Sequence, residues 1–304
     1  MATARHHYWQ PDKALALAVA AAPAMWLAVL AWDGDLGVRA VHEAIRISGD
    51  WALRLFWLTL LVSPARRILS APRLIRVRRI LGLGTFGLTI LHLGLYAFEL
   101  QFNWGQIGME IVLRTYLLVG ATATIGLAAL AATSSDLAIA RLGSRRWNRL
   151  HSFVHVGAAL SVLHFLLRFK TNTFEPMLMI GLCAWLTGYR LMHRGIGTVS
   201  AGHLFALAAA CAILTAAAEA GWHATMTGVD PWRLLAANLD ISDGLRPALW
   251  VLIAGSIAAV ASFLSSRPSR RGPGRGLRPA PQRPIARISS SNAVSGATQG
   301  QSAS

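Results

Sequence analysis

His92 and His164 are the side chains whose type and placement suit redox chemistry. Each stands inside an apolar stretch of membrane-spanning length, 80–98 and 150–167. An imidazole is costly in hydrocarbon, so an intramembrane histidine is a functional-site candidate by default. His92 precedes Glu99 by seven residues and His164 precedes Arg168 by four, which puts them at similar depth if the two helices run parallel. Imidazole nitrogen is a usual ligand of haem iron, and a bis-histidine pair closes both axial positions, favouring electron transfer over oxygen binding. On spacing alone the pair reads either as the axial ligands of one b-type haem or as two polar residues hydrogen-bonding across helices.

His151 begins the same stretch as His164, thirteen residues earlier. That is about 20 Å along a helix, a separation suited to two stacked haems. Thirteen steps of about 100° leave the two side chains roughly 140° apart, so a local irregularity is needed for both to face one column. Fourteen residues before His92, on nearly the same face, stands Arg78 rather than another histidine. Arg78 reads either as a partner for a haem propionate or a flavin phosphate, or as one more positive loop residue. His155, four residues after His151, is an alternative ligand. His6, His7, His42, His193, His203 and His223 fall in loops, at helix ends or in the N-terminal segment.

These residues need a membrane bundle to hold them. Of the 304 residues 54% are hydrophobic and 14% charged, against about 25% charged in soluble domains. Eight apolar segments stand out: 14–31, 47–63, 80–98, 111–131, 150–167, 176–191, 203–221 and 246–264. The first has a signal-like start but runs on through Met25–Trp32, which predicts an uncleaved helix. Arg54 interrupts the second and is expected to line the bundle interior. The prediction is an all-α polytopic bundle: a cytoplasmic segment 1–13, a core 14–192, a two-helix extension 193–264, and a disordered basic tail 265–304.

Arginines cluster after the second segment (Arg66, Arg67, Arg73, Arg76, Arg78, Arg79), the fourth (Arg141, Arg145, Arg146, Arg149), the sixth (Arg190, Arg194) and in the tail. The other loops hold Asp33, Asp35, Glu43, Asp50, Glu99, Glu110, Asp230, Asp240 and Asp243. The positive-inside rule then puts both termini in the cytoplasm and the His92/His164 pair in the outer half of the membrane. The net charge of +16 is scattered in short clusters and is no nucleic-acid footprint; the tail suits anionic lipid headgroups. Cys183 and Cys211 make no CxxC or CxxCH, so a haem would be held without covalent attachment. Gly82-Leu-Gly84-Thr-Phe-Gly87 matches GxGxxG, but it lies in an apolar run with no βαβ context, and helix packing accounts for it better than a dinucleotide.

Three stretches carry a family resemblance: Ser63-Pro64-Ala65-Arg66; Pro72 through Leu83, followed by Leu91-His92-Leu93 and Tyr96; and Arg141 with Trp147-Asn148-Arg149-Leu150-His151-Ser152-Phe153-Val154 and His164. Over roughly 14–192 the chain resembles the haem-binding membrane subunits of periplasmic protein-methionine-sulfoxide reductases (MsrQ, formerly YedZ), within the ferric-reductase-like transmembrane superfamily. The resemblance implies a b-type cytochrome of the bacterial inner membrane with ligands at His92, His151 and His164. One haem is implied, or two, with FMN as a further cofactor. Its electrons would come from the quinone pool or a cytoplasmic flavin reductase and pass to a periplasmic molybdopterin-type reductase. The segment after residue 192 departs from the family pattern. No FAD- or NADPH-binding domain is visible, so the chain is expected to act as an electron-transfer subunit. A direct ferric or metal reductase and a non-redox membrane protein are the alternatives.

Overall fold

The computed structural model describes residues 11–168, 172–242 and 244–266. Within them the chain is helical, with no strand. The order is α1 (Pro11–Asp33), α2 (Ala40–Ile68), a 3₁₀ turn (Pro72–Arg76), α3 (Arg78–Glu99), α4 (Trp104–Leu113), α5 (Thr115–Ala132), α6 (Asp136–Leu142), α7 (Ser144–Ser152), α8 (Val154–Arg168), α9 (Phe174–Ile196), α10 (Ala201–Thr227), α11 (Pro231–Ala237) and α12 (Pro247–Ser266). Most of residues 1–13 and of the tail 265–304 fall outside the described residues.

Six stretches are long and apolar enough to cross a membrane: Pro11–Asp33, Pro72–Glu99, Thr115–Ala132, Ser144–Arg168, Ala201–Thr227 and Pro247–Ser265. Leu17, Met25, Ile125, Ile213 and Ile257 are exposed on them, a surface that suits lipid rather than water. The chain is a multi-pass membrane protein. Two of the eight expected segments, α2 and α9, are of spanning length but carry charge. Several of these charges are paired: Arg46 with Glu43 and Asp50, and Arg54 with Glu175. Arg54 also lies 5.2 Å from the centre of the Trp51 ring. The residue expected to line the interior thus ties α2 to the start of α9.

Packing follows the rule that membrane helices approach closely at small residues. A Cβ on Gly84 of α3 would stand 2.6 Å from the Ala20 Cβ of α1, and one on Gly255 of α12 would stand 2.5 Å from the Ala208 Cβ of α10. The GxGxxG match is therefore explained in part by helix contact. Gly84→Leu is expected to cost about 1–3 kcal/mol through overpacking, read as a lower melting temperature in detergent. One apolar cluster joins Leu60 of α2, Val162 of α8, Trp185 of α9, Leu204 of α10 and Val251 of α12, so the extension shares its core with the helices before residue 192.

The fifth apolar segment differs from expectation. Instead of one helix, α7 stops at Ser152 and α8 starts at Val154. The Phe153 amide bonds to Leu150 O, one turn-residue short of the α-helical partner, at 3.0 Å. Ser152 Oγ also donates to Arg149 O at 2.6 Å, the kind of back-bond that bends helices. The polar run Ser144–Ser152 and the apolar run Val154–Arg168 therefore meet at a one-residue break in the helix, at Phe153.

Candidate functional site

Four helices meet where α3 and α8 finish and α2 and α5 start, here called the Glu99 end. His92 is on α3 and His164 on α8, and both line one cavity of about 600 Å³. The volume is within the range of small-molecule and cofactor sites. Phe56 and Leu53 of α2, Thr85 and Thr89 of α3 and Leu127 of α5 line it too, and α4 lies across it through Trp104, Ile107, Glu110 and Ile111.

The two rings are held alike. His92 Nδ1 bonds to the Ile45 carbonyl at 2.8 Å, and His164 Nδ1 to the Tyr116 carbonyl at 2.6 Å. A carbonyl can only accept, so each Nδ1 carries the proton, and each ring keeps the lone pair of Nε2 for another partner. A histidine fixed through one nitrogen by a backbone carbonyl is the usual arrangement of a metal-ligating imidazole. Ser48 Oγ adds a 3.4 Å contact to His92 Nδ1. The cavity also has an under-satisfied polar atom. Asp50 is 6% exposed and takes a 3.2 Å bond from Arg46, while its Oδ1 is buried with no partner among the described residues.

Arg39, Arg114 and Arg168 bring positive charge to the cavity wall, where His42, Glu99 and Glu110 also stand. His42 Nδ1 is 3.4 Å from Glu99, and Glu110 takes bonds from Tyr96 at 3.1 Å and Arg114 at 3.2 Å. Arg114 stands between α4 and α5 with an extended backbone, and its guanidinium is held above the ordinary range first by its bond to the Tyr116 hydroxyl, then by Tyr116 and Glu110 charge. A largely apolar cavity lined by two imidazoles and an arginine-bearing wall fits a haem by donor chemistry: nitrogen for iron, guanidinium for propionate.

His151 and Arg78 sit together at the opposite, Arg78 end. His151 Nε2 is 3.1 Å from Thr133 Oγ1, and its ring stacks on Trp147 at 3.9 Å between centroids. Arg78 is half-buried and within electrostatic range of His151, His155 and Arg190. Both nitrogens of His155 lie against Arg190 Nη1, at 2.9 and 2.7 Å, and Arg190 also donates to Leu60 O at 3.0 Å. The remaining described histidines have local roles. His203 closes the capping box of α10 with Ser200, His193 stacks on Tyr189, and His223 meets Thr173 Oγ1 at 2.9 Å. Sequence reasoning missed Gly49, Gly120, Asp50, Arg39 and Arg114 around the pair. Arg114 carried a signal, as the one arginine within the apolar segment 111–131.

The pattern of the ferric reductase like transmembrane component matches residues 48–162, the stretch that holds most of this cavity. The protein-methionine-sulfoxide reductase heme-binding subunit MsrQ of Polaromonas naphthalenivorans is 38% identical over 185 residues, 60% of this chain and 84% of that protein. The subunit of the same name from Caulobacter vibrioides is 36% identical over 169 residues, 54% of this chain and 80% of its own. That of Xanthomonas campestris pv. campestris strain B100 is 42% identical over 160 residues, 52% of this chain and 73% of its own. No solved structure matches. A ferric-reductase-like bundle, its paired cavity histidines and relatives covered over most of their length lead to one assignment: the chain belongs to the MsrQ family of haem-binding subunits of protein-methionine-sulfoxide reductases.

Proposed function

We propose that this protein is a b-type haem electron conduit of the bacterial inner membrane, with His92 and His164 as the axial ligands. The observation that carries the reading is the shared cavity with both rings proton-committed at Nδ1. Haem, when bound, supplies the one-electron chemistry that side chains lack. The chain's own residues orient the ligands, neutralise acid groups through Arg39, Arg114 and Arg168, and keep the slot dry with Phe56, Leu53 and Ile107. With the arginine clusters in the cytoplasm, both termini are inside and the Glu99 end faces the periplasm.

Electrons then arrive at the Arg78 end, from the quinone pool or a cytoplasmic flavin reductase, and leave at the Glu99 end. The acceptor in this reading is a periplasmic molybdenum-dependent protein-methionine-sulfoxide reductase, in keeping with the relatives' name. It would dock on 103–109 and 222–245. His151 with Arg78 forms the place for a second haem, or for the phosphate of FMN.

The purified protein is expected to show a low-spin b-type spectrum on dithionite reduction and to release the pigment into acid acetone. A folded, haem-free preparation would sink the proposal. In oriented vesicles the reduced haem should be oxidised from outside by the cognate reductase. Rapid oxidation by ferric chelates with none by that reductase would move the assignment to a metal reductase.

A further inference from the structure

A Cβ built on Gly49 of α2 would stand 2.9 Å from His92 Cε1 and 3.0 Å from Nδ1. One built on Gly120 of α5 would stand 2.6 Å from His164 Nδ1 and 2.8 Å from Cε1. Each glycine lies four residues after the carbonyl that holds the same ring: Ile45 then Gly49, Tyr116 then Gly120. The spacing has a physical reason. In an α-helix the carbonyl of residue i accepts the amide of i+4, which leaves one lone pair for a lateral donor. The Cβ of residue i+4 tilts toward the helix N-terminus and covers the turn that displays this lone pair. A glycine at i+4 uncovers it.

We infer that Gly49 and Gly120 are positioning residues that expose the Ile45 and Tyr116 carbonyls, so that each imidazole lies against bare backbone, bonds through Nδ1 and turns Nε2 into the cavity. Its consequence for the cofactor rests on the bis-histidine haem reading; the cradle itself is a property of the protein alone. An added methyl meets the movable ring rather than fixed backbone. The ring therefore swings away and loses its carbonyl bond. Gly94 on α3 and Gly126 on α5 meet nothing within 4 Å and serve as internal controls.

The test uses the full chain in detergent as wild type, G49A, G120A, G94A, G126A, H164A and G120A/H164A. G49A and G120A are expected to weaken haem retention by about tenfold, the scale seen when a metal ligand loses its outer hydrogen-bond partner, and to shift the low-spin electron paramagnetic resonance signal. G94A and G126A should keep the wild-type signal. In haem-free protein G120A should lower the melting temperature of the wild type but not that of H164A, because the group the methyl meets is the ring. Wild-type haem content and signal in both G49A and G120A would overturn the inference, as would the same loss of melting temperature with and without the ring. A haem-free wild type, or a low-spin signal that survives H164A, overturns the haem reading instead; the haem-free comparison then still decides the cradle.

Discussion

Replacing His92 or His164 by alanine is expected to remove the low-spin haem signal almost completely, while His151→Ala leaves the signal of this pair in place. In the proposed reading both cavity histidines would hold the haem iron, so an alanine at either position would leave it with one protein ligand and would leave Ile45 O or Tyr116 O without its imidazole. His151 belongs to the other end of the bundle, where Thr133 and Trp147 hold it. Its removal should delete at most a second cofactor. Absorbance and paramagnetic resonance spectra of the three purified variants decide the matter. If His151→Ala alone abolished all haem, the His92/His164 assignment would be wrong.

Arg246→Ala should produce the largest loss of stability outside the haem site. Glu219 of α10 is 5% exposed, yet its carboxylate takes bonds from Arg246 at 3.2 Å and from Asn238 at 3.4 Å. Removing one partner of a buried pair costs about 3–5 kcal/mol, because the other charge is left desolvated. Arg246 is 34% exposed at its side chain, so the lower end, about 3 kcal/mol, is expected. Glu219→Gln/Arg246→Ala should recover part of it by removing the charge. The haem spectrum should stay as in wild type, since Glu219 lies in α10 and Arg246 in the connection that leads to α12. A melting temperature unchanged by Arg246→Ala would mean that the pair contributes nothing to the extension.

The membrane bundle was legible because long apolar runs leave few alternatives in lipid. The His92/His164 pair was legible because a titratable group in such a run stands out. Other features depend on what a sequence does not display. The helix expected over 111–131 is α5, which starts only at Thr115, because Arg114 adopts an extended backbone and the residues before it form the separate helix α4. Hydropathy does not register a change of direction between two apolar stretches. The break at Phe153 falls beside a serine that bonds its own backbone. Charges in α2 read as a break in the apolar pattern, yet Arg54 finds Glu175, 121 residues away. The acceptors that fix the two rings are backbone carbonyls, which every residue type possesses. Their only trace in the sequence is a glycine four positions later.

The roof made by α4 has a consequence for acceptor choice. Its ten residues line the cavity with Ile107, Glu110 and Ile111 and leave Met109, Val112 and Leu113 exposed. A single helix with its side chains is about 10 Å thick. A protein landing on α4 would therefore stand about one helix thickness from the cavity. In the proposed reading, exchange would then depend on how well the two surfaces meet. The exposed residues of α4 would meet such a protein, while the two cavity histidines stand on α3 and α8, so the docking face can change while the histidine pair stays as it is.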